Sequence, residues 1–250
     1  MGASRFFAEG PVPESGTLPL SAGDVHHLRD VLRLGAGDTI EVVGDGVAWT
    51  VRLEEVADTA RGVREGVVPP FGPLPRVTLA QGLAKGEKMD TVVRQATELG
   101  VERIVPFSSE RSVVKLDPSK VVARTDRWRR IAQGAAKQAH RLDVPQVVEV
   151  VSLDGLPEAL SGTTMLVAWE DAAGAPGVAA ALAAAGSPDA QVSVIVGPEG
   201  GLSVSEVAVL ERAGAVRVSL GPMILRTETA GVIATALAIH ALGGLGASRG

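Results

Sequence analysis

The fold is decided by residues 192–213, which read VSVIVGPEGGLSVSEVAVLERA. The valine- and isoleucine-rich run Val192–Val196, in which Ser193 is the one polar residue, predicts a buried strand, and Ser203–Ala213 predicts a helix. Between them lies the loop Gly197–Gly201, whose glycines allow positive φ angles and a close approach of the backbone to a ligand. A buried strand that leads through a glycine loop into a helix is typical of an α/β sheet.

The same alternation of strand and helix extends over Arg76–Leu242. Strands separated by helices imply right-handed parallel crossovers, and ligands of such sheets bind beyond the carboxyl ends of the strands. Gly100 is predicted to stop the first of the helices. The predicted strands are Val77–Gln81, Val101–Phe107, Gln146–Val150, Met165–Trp169, Val192–Val196 and Val216–Leu220. The predicted helices are Gly86–Leu99, Ser119–Ala139, Gly177–Ala185, Ser203–Ala213 and Thr227–Leu242.

The N-terminal part of the chain predicts a small β-rich domain. Thr39–Val43 and Val47–Val56 are β-branched or alternating runs on either side of an Asp-Gly pair, which predicts a hairpin. His27–Leu34 adds a short helix. The prolines of Pro69–Pro75 suit neither a helix nor a central strand. We therefore expect one domain over residues 1–70 and a second over residues 74–247.

The charge of the chain is unevenly distributed. The whole sequence has 29 acidic and 24 basic residues and a net charge of −5, which by itself argues against a polyanion binder. Residues 73–150, however, carry 14 basic and 9 acidic groups, whereas the segments before and after them are net acidic. Because binding to phosphate depends on local cations, the basic middle predicts a surface that faces RNA.

Several classes of function are disfavoured by the composition. Cysteine is absent, which excludes disulfides and cysteine nucleophiles, and the four scattered histidines predict no metal site. The longest apolar stretch, Val232–Leu242, is shorter than the roughly 20 residues that span a bilayer, and no secretory signal is evident. We therefore expect a cytoplasmic protein.

Two loops are candidates for chemistry. Gly197–Gly201 matches neither a dinucleotide fingerprint nor a P-loop, and Glu199 would repel a pyrophosphate. That loop suits a neutral or cationic ligand, or it is simply a tight turn. In the second loop, Gly221–Thr229, the threonines and Glu228 can cap the following helix. Arg226 opposes the helix dipole there, so it calls for an anionic partner and is a candidate functional residue.

Read together with motifs elsewhere in the chain, the two loops resemble the bacterial 16S ribosomal RNA (uracil-N3) methyltransferases of the SPOUT superfamily. The resemblance covers nearly the whole chain, and the two loop motifs near its C-terminus are the most specific. The motifs that carry it are Arg5–Phe7, His26–Arg29, Val31–Arg33, Lys85–Asp90, Ala96–Val101, Ser109–Ser112, Gly197–Gly201 and Leu220–Ala230.

The resemblance implies a PUA-like β-barrel followed by an α/β methyltransferase domain tied in a trefoil knot, in a homodimer. It implies S-adenosylmethionine as the cofactor, no metal, and methylation of N3 of a uridine in the decoding region of 16S ribosomal RNA. Arg226 is expected to stabilise the uracil anion, and Arg5 to reach the RNA as a second catalytic candidate. The cofactor is expected to contact Glu170, Gly197, Pro198, Gly200, Gly201, Leu220, Gly221, Ile224 and Leu225. RNA is expected to contact Arg29, Arg33, Lys85, Lys88, Arg94, Arg111, Lys115 and Arg141.

The chain departs from the family pattern in two places. Met223 stands where many members have arginine, and Ala139 and His140 interrupt a run that is otherwise similar to Gln-Ser-Gly-Arg. The group that accepts the uracil proton stays open between Glu98 and water. Two other functions also stay open: a non-catalytic RNA-binding or ribosome-assembly protein, and a SPOUT methyltransferase that acts on another RNA position.

Overall fold

Two β-sheets organise the chain in the computed structural model, which describes residues 3–112, 118–172, 174–186 and 191–246. Each sheet belongs to its own compact unit. The first unit comprises Met1–Gly72 and Ala136–Asp143, and the second comprises Pro73–Ala135 and Val144–Gly250. The inclusion of Ala136–Asp143 in the first unit is a feature that the local sequence pattern does not reveal.

The first unit is built on a five-stranded sheet with the order β1-β3-β4-β5-β2. Its centre is the antiparallel hairpin of β3 and β4, as predicted, and Asp45 and Gly46 both adopt positive φ angles in the turn. Phe6, Leu28 and Ile40 form part of its buried core. The strands are β1 (Arg5–Phe7), β2 (Ser15–Thr17), β3 (Thr39–Gly44), β4 (Val47–Val56) and β5 (Ala60–Val67).

The short helix of this unit begins earlier than predicted. Helix α1 covers Ala22–His26 and continues as a π-helical turn over His27–Val31, so the prediction of His27–Leu34 was wrong in its bounds. The cause is a local cap: the Ser21 side chain accepts a hydrogen bond from the backbone N–H of Asp24 at 3.1 Å.

The second unit is built on a sheet with the order β12-β10-β11-β6-β7-β8, in which β9 also pairs with β7. All of its strand pairs are parallel, which confirms the predicted α/β class. The sheet is covered on both faces: Leu79 and Val194 point to one apolar cluster, and Val167 and Ile195 to the other. The strands are β6 (Val77–Gly82), β7 (Arg103–Ser108), β8 (Gln146–Val147), β9 (Val151–Ser152), β10 (Thr164–Ala168), β11 (Val192–Val196) and β12 (Val216–Val218).

Two helix ends of the second unit are set by capping residues that the sequence supplies. Gly100 ends the first of them with a φ of 101°, as predicted. Ser203 and Glu206 form a reciprocal capping box at the start of α6. The helices are α2 (Lys88–Leu99), α3 (Pro118–Gln138), α4 (Leu156–Ala159), α5 (Val178–Ala185), α6 (Val204–Arg212) and α7 (Thr227–Ala241).

Three strands are shorter than predicted. The strand predicted over Val101–Phe107 covers Arg103–Ser108. The last strand ends at Val218 rather than Leu220, and the strand predicted over Gln146–Val150 pairs only through its first two residues. β12 is an edge strand, and its chain leaves the sheet after Val218 to form a loop. None of the helices in the described part of the chain has the length and apolar character that a bilayer span requires.

A buried ionic network within the first unit holds its segment Ala136–Asp143 against its sheet. The Arg5 guanidinium, whose side chain is 3% exposed, lies 2.8 Å from the Glu41 carboxylate and also donates to the backbone carbonyls of His140 and Arg141. His140, with a φ of 56°, places its Nδ1 at 3.0 Å from the same carboxylate. Lys137 forms a second ion pair, with Asp24.

Replacing Glu41 by Ala is expected to destabilise the first unit by about 3 kcal/mol, because it leaves the Arg5 charge buried without its partner. Denaturant unfolding followed by far-UV circular dichroism measures the change. Glu65→Ala is the control, since Glu65 pairs with Arg52 at a solvent-exposed site and its loss should cost no more than about 1 kcal/mol. Equal effects of the two substitutions would contradict a structural role for the Arg5–Glu41 pair.

Candidate functional site

A cavity of about 630 Å³ lies at the carboxyl ends of β10, β11 and β12. Three loops form its walls, at residues 168–171, 196–202 and 219–227, and Lys88 from α2 and Ala230 from α7 complete it. The parallel register explains their convergence, because Ala168 pairs with Val196 on one side and with Val218 on the other. The cavity is thus where the topology predicts a ligand site.

The residues predicted to contact a cofactor are almost all brought together here. Eight of the nine line the cavity: Glu170, Gly197, Pro198, Gly201, Leu220, Gly221, Ile224 and Leu225. The ninth, Gly200, is not part of the cavity wall and packs against Arg111 instead, since a Cβ at position 200 would lie 3.0 Å from Arg111 Cβ. Arg111 also donates a hydrogen bond to the Gly200 carbonyl at 3.3 Å.

Two glycines, one in the glycine loop and one in the neighbouring strand β6, lie where a Cβ atom would meet other atoms. Gly201 has a φ of +67°, and a Cβ there would lie 2.3 Å from Glu170 Oε1. Gly82, at the end of β6, packs so closely that a Cβ would lie 2.4 Å from the Pro198 nitrogen. A larger residue at position 82 would push the glycine loop away from β6, whereas one at position 201 would strain the backbone at a positive φ and displace the Glu170 side chain.

The charge of Glu199 is balanced within the cavity. Its carboxylate accepts a hydrogen bond from the backbone N–H of Lys85 at 2.9 Å and lies 3.1 Å from Lys88 Nζ, which is also 3.4 Å from Glu228. Partial burial pushes the pKa of Glu199 upward, but the Lys85 N–H and the Lys88 ammonium together hold it below its ordinary value. The hydrogen bond to Glu199 raises the pKa of Lys88. Lys88, predicted to bind RNA, therefore lies between two carboxylates.

Arg226 lies at the cavity rim as the N-cap residue of α7, and its side chain is exposed. In the part of the chain that the structure describes, its guanidinium has no hydrogen-bond or ion-pair partner. A cation in this position is unfavourable next to the positive end of the helix dipole. Because the guanidinium is unfavourably placed and has no partner among the described residues, it is available to bind an anionic ligand.

The other predicted site residues have varied surroundings. In the second unit, Arg94 is exposed on α2, and Lys115 lies outside the described residues. In the first unit, Arg33 is exposed, Arg29 pairs with Asp30 at 3.0 Å, and Arg5 and Arg141 are buried. The Arg141 guanidinium pairs with Asp143 at 2.8 Å.

Sequence reasoning missed Trp169 as a member of the cavity wall. It directly follows β10, and its indole N–H donates to the Leu202 carbonyl at 3.2 Å. The Arg217 guanidinium lies 5.9 Å from the ring centroid. An aromatic residue at the carboxyl end of a predicted strand was the available signal. Within the described ranges, no three His, Asp or Glu side chains are grouped so that they could hold a metal ion.

Comparison with known proteins gives consistent results. A family model described as an RNA methyltransferase domain matches residues 72–239, and one described as an RNA methyltransferase PUA domain matches residues 20–59. The chain is 34% identical over 239 residues to the ribosomal RNA small subunit methyltransferase E of Bacillus subtilis (strain 168), a match that covers 90% of this chain and 92% of the relative.

Two solved structures of full-length similarity hold a ligand. The ribosomal RNA small subunit methyltransferase E from Neisseria gonorrhoeae, bound to S-adenosyl methionine, matches with a TM-score of 0.81 and 31% identity over 94% of this chain and 96% of that one. A methyltransferase from Legionella pneumophila in complex with the same cofactor matches with a TM-score of 0.81 and 28% identity, over 96% and 98% of the two chains.

Replacing Lys88 by Met is expected to raise the pKa of Glu199 toward its ordinary value, because burial is then opposed by the Lys85 N–H without the ammonium. Carboxyl chemical shifts of ¹³C-labelled glutamate, followed over a pH titration, measure the change. The folded pKa of Glu199 is lowered, so its stabilisation is present above the ordinary pKa and is lost as the pH falls through the folded value. The variant should therefore lose less stability on acidification.

Lys85→Met is the matched control for this titration. Lys85 contacts Glu199 through its backbone N–H, which the substitution keeps. The pKa of Glu199 should therefore stay as in the unmodified protein. A shift in the control, or none in Lys88→Met, would show that the ammonium does not set the charge state of Glu199.

Proposed function

The chain belongs to the ribosomal RNA small subunit methyltransferase E family, and on that premise we propose that it transfers a methyl group from S-adenosylmethionine to N3 of a uridine in 16S ribosomal RNA. One observation carries the proposal beyond the family: Arg226, whose side chain has no partner among the described residues, lies at the rim of a cavity that suits a cationic ligand. The proposed target lies in the decoding region of the small subunit, so we place the reaction in the cytoplasm.

The cavity fits S-adenosylmethionine in size and in chemistry. Its volume of about 630 Å³ is within the range of about 300–1,000 Å³ for small-molecule sites. Trp169 and Leu220 provide apolar walls for a purine ring, and the Glu170 carboxylate has no hydrogen-bond or ion-pair partner among the described residues. A ligand with a sulfonium cation and no phosphate is complementary to such a site.

We assign the binding of the cofactor to the loop backbones and to Glu170. Gly197, Gly201 and Gly221 let main-chain groups approach the ligand without Cβ atoms between them. When bound, S-adenosylmethionine supplies an electrophilic methyl group on sulfur. The protein then has to hold the acceptor base in line with that group, which needs neither a metal nor a covalent intermediate.

Arg226 is proposed as the residue that stabilises the acceptor. Loss of the N3 proton leaves negative charge on the uracil ring, shared with O2 and O4, and an adjacent guanidinium stabilises that charge. Because N3 lies on the Watson–Crick edge, the base has to be unpaired or flipped out of its helix. Arg226 lies exposed at the N-terminal end of α7, so its charge and the positive end of the helix dipole are both available to an incoming anion.

Water is the favoured acceptor of the uracil proton. Glu98, the other candidate, follows Lys88 by ten residues on α2, which places it about 15 Å further along the helix axis. Lys88 lines the cavity, so Glu98 lies at the opposite end of the same helix.

The RNA is proposed to bind on the basic residues that remain exposed. Arg94 on α2 and Arg33 of the first unit are exposed, and Lys85 and Arg111 lie beside the glycine loop. We assign RNA holding to the domain of residues 1–70, as a PUA-like barrel, and methyl transfer to residues 74–247. Arg5, in contrast, is proposed to act through its buried contacts rather than on the RNA.

We also propose the trefoil knot and the homodimer of the family. The knot is proposed from the membership of the family alone. The dimer is supported by large apolar side chains that a second copy would cover. These are Met223 and Ile224, 75% and 90% exposed, and Ile233 and Leu237 on α7.

Replacing Arg226 by Ala is expected to lower kcat by about 100-fold or more, because the developing uracil charge loses its stabilising cation. Affinity for S-adenosylmethionine should change little. Transfer of a labelled methyl group to 16S RNA and calorimetry with the cofactor measure the two quantities. Arg212→Ala is the control, since Arg212 is an exposed arginine at the end of α6 and should have no effect.

The methylated nucleoside is identified by mass mapping of 16S RNA from a deletion strain before and after complementation. N3-methyluridine that returns with the wild-type gene supports the proposal. A different modified nucleoside would replace the proposed target, and no modification at all would favour a binding protein. Unchanged turnover of Arg226→Ala would remove Arg226 from the mechanism.

A further inference from the structure

Gln81 is a polar side chain buried at the junction of three elements. It is the penultimate residue of β6, pairs with Val196 of β11, and is 0% exposed. Its neighbours along the strand, Leu79 and Ala80, are the apolar residues expected of a central strand covered on both faces. A buried amide among them has to be explained by what it contacts.

The amide forms a chain of hydrogen bonds to the two principal loops of the cavity. Gln81 Nε2 donates to Thr227 Oγ1 at 2.9 Å, and Thr227 Oγ1 donates in turn to the Gly197 carbonyl oxygen at 2.6 Å. The same Nε2 has longer contacts with the carbonyl oxygens of Gly82, at 3.3 Å, and Gly197, at 3.5 Å. Gly197 opens the glycine loop, and Thr227 follows Arg226 directly. One side chain thus links the strand, the loop that we assign to the cofactor, and the residue that carries the proposed catalytic group.

The surroundings of Gln81 also include two features that lower the stability of the fold. Gln81 Oε1 has no hydrogen-bond partner among the described residues although it is buried, a condition that costs about 1–3 kcal/mol. The oxygen fits only because residue 231 is glycine, since a Cβ there would lie 2.3 Å from it. A glycine inside helix α7 costs about a further 1 kcal/mol. Two unfavourable features that meet at one amide indicate that its position serves function rather than stability.

We propose that Gln81 is a positioning residue, which acts through Thr227 to hold Arg226 in register with the glycine loop. The inference rests on the proposed function, because it concerns the alignment of the base and the cofactor rather than the binding of either. Misplacement of reacting groups by about 1 Å can lower a rate by about 100-fold. Loss of the link should therefore affect kcat more than the affinity for either ligand.

The test compares Gln81→Met and Thr227→Val, each of which nearly keeps the side-chain volume and breaks the hydrogen bond between Gln81 and Thr227. Both are expected to lower kcat at least about ten-fold, with KM for S-adenosylmethionine changed by less than about three-fold. The double variant should be no worse than the more affected single variant, since one link is broken only once. Thr227→Ser keeps the hydroxyl and should restore kcat to near the wild-type value.

Thr235→Val is the matched control. Thr235 lies on the same helix, is fully buried and donates only to the carbonyl of Gly231 within that helix, at 2.8 Å. Its loss should lower stability as Thr227→Val does but leave kcat unchanged. Amide hydrogen exchange of the cofactor-free protein is a second readout: protection of residues 197–201 and 226–230 should fall in the Gln81 and Thr227 variants and not in the control.

Unchanged kcat in Gln81→Met, an equal loss in Thr235→Val, or unchanged exchange in both loops would overturn the proposal. The outcome is independent of the identity of the target. If the wild-type protein methylates another nucleotide, the proposed function fails, whereas the kcat ratios measured on that RNA still test Gln81. If the protein transfers no methyl group, amide hydrogen exchange of the two loops still tests whether Gln81 links them. Unchanged exchange in the Gln81 and Thr227 variants would then overturn the inference.

Discussion

The parallel order of β12, β10, β11 and β6 is the constraint on which the functional half of the molecule depends. Parallel strands all end at one edge of the sheet, so the chain has to turn there after every strand. The pairings Ala168 with Val196, and Val196 with Gln81, put three of these ends side by side. Loops from distant parts of the sequence therefore become the walls of one cavity, with no need for contacts within any single loop.

Two kinds of polar contact hold the loops at this edge: neutral hydrogen bonds deep in the site and ion pairs at its mouth. The deep link, from Gln81 through Thr227 to Gly197, is neutral and fully enclosed, where a bare charge would be costly. At the mouth, Lys88 lies between Glu199 and Glu228, and all three side chains keep some contact with water. Ion pairs are tolerated there because the ions remain partly hydrated. The interior of the site is thus neutral, whereas its rim carries the charges.

The pattern of the sequence predicted the order and the class of nearly all elements of the second unit, and most residues of the cavity wall. Gly197, Gly201 and Gly221 were recognisable because a glycine next to an apolar run is a local signal. Trp169 and Gln81 were not singled out, since each looks like an ordinary strand residue. Gly200 and Arg111 were assigned to different ligands, yet the fold packs one against the other. In the first unit, the short strands β1 and β2 have too few residues to show a period.

By itself the sequence determined features that depend on residues within a few positions of one another, such as the hairpin at Asp45 and the helix stop at Gly100. Only the tertiary structure decided what each charge does. Arg5 and Arg226 are both arginines next to motif residues, but the fold buries the first against Glu41 and leaves the second exposed at the cavity. The physical reason is that an ion pair or hydrogen bond acts over a few ångströms, and packing alone brings residues distant in sequence within that range.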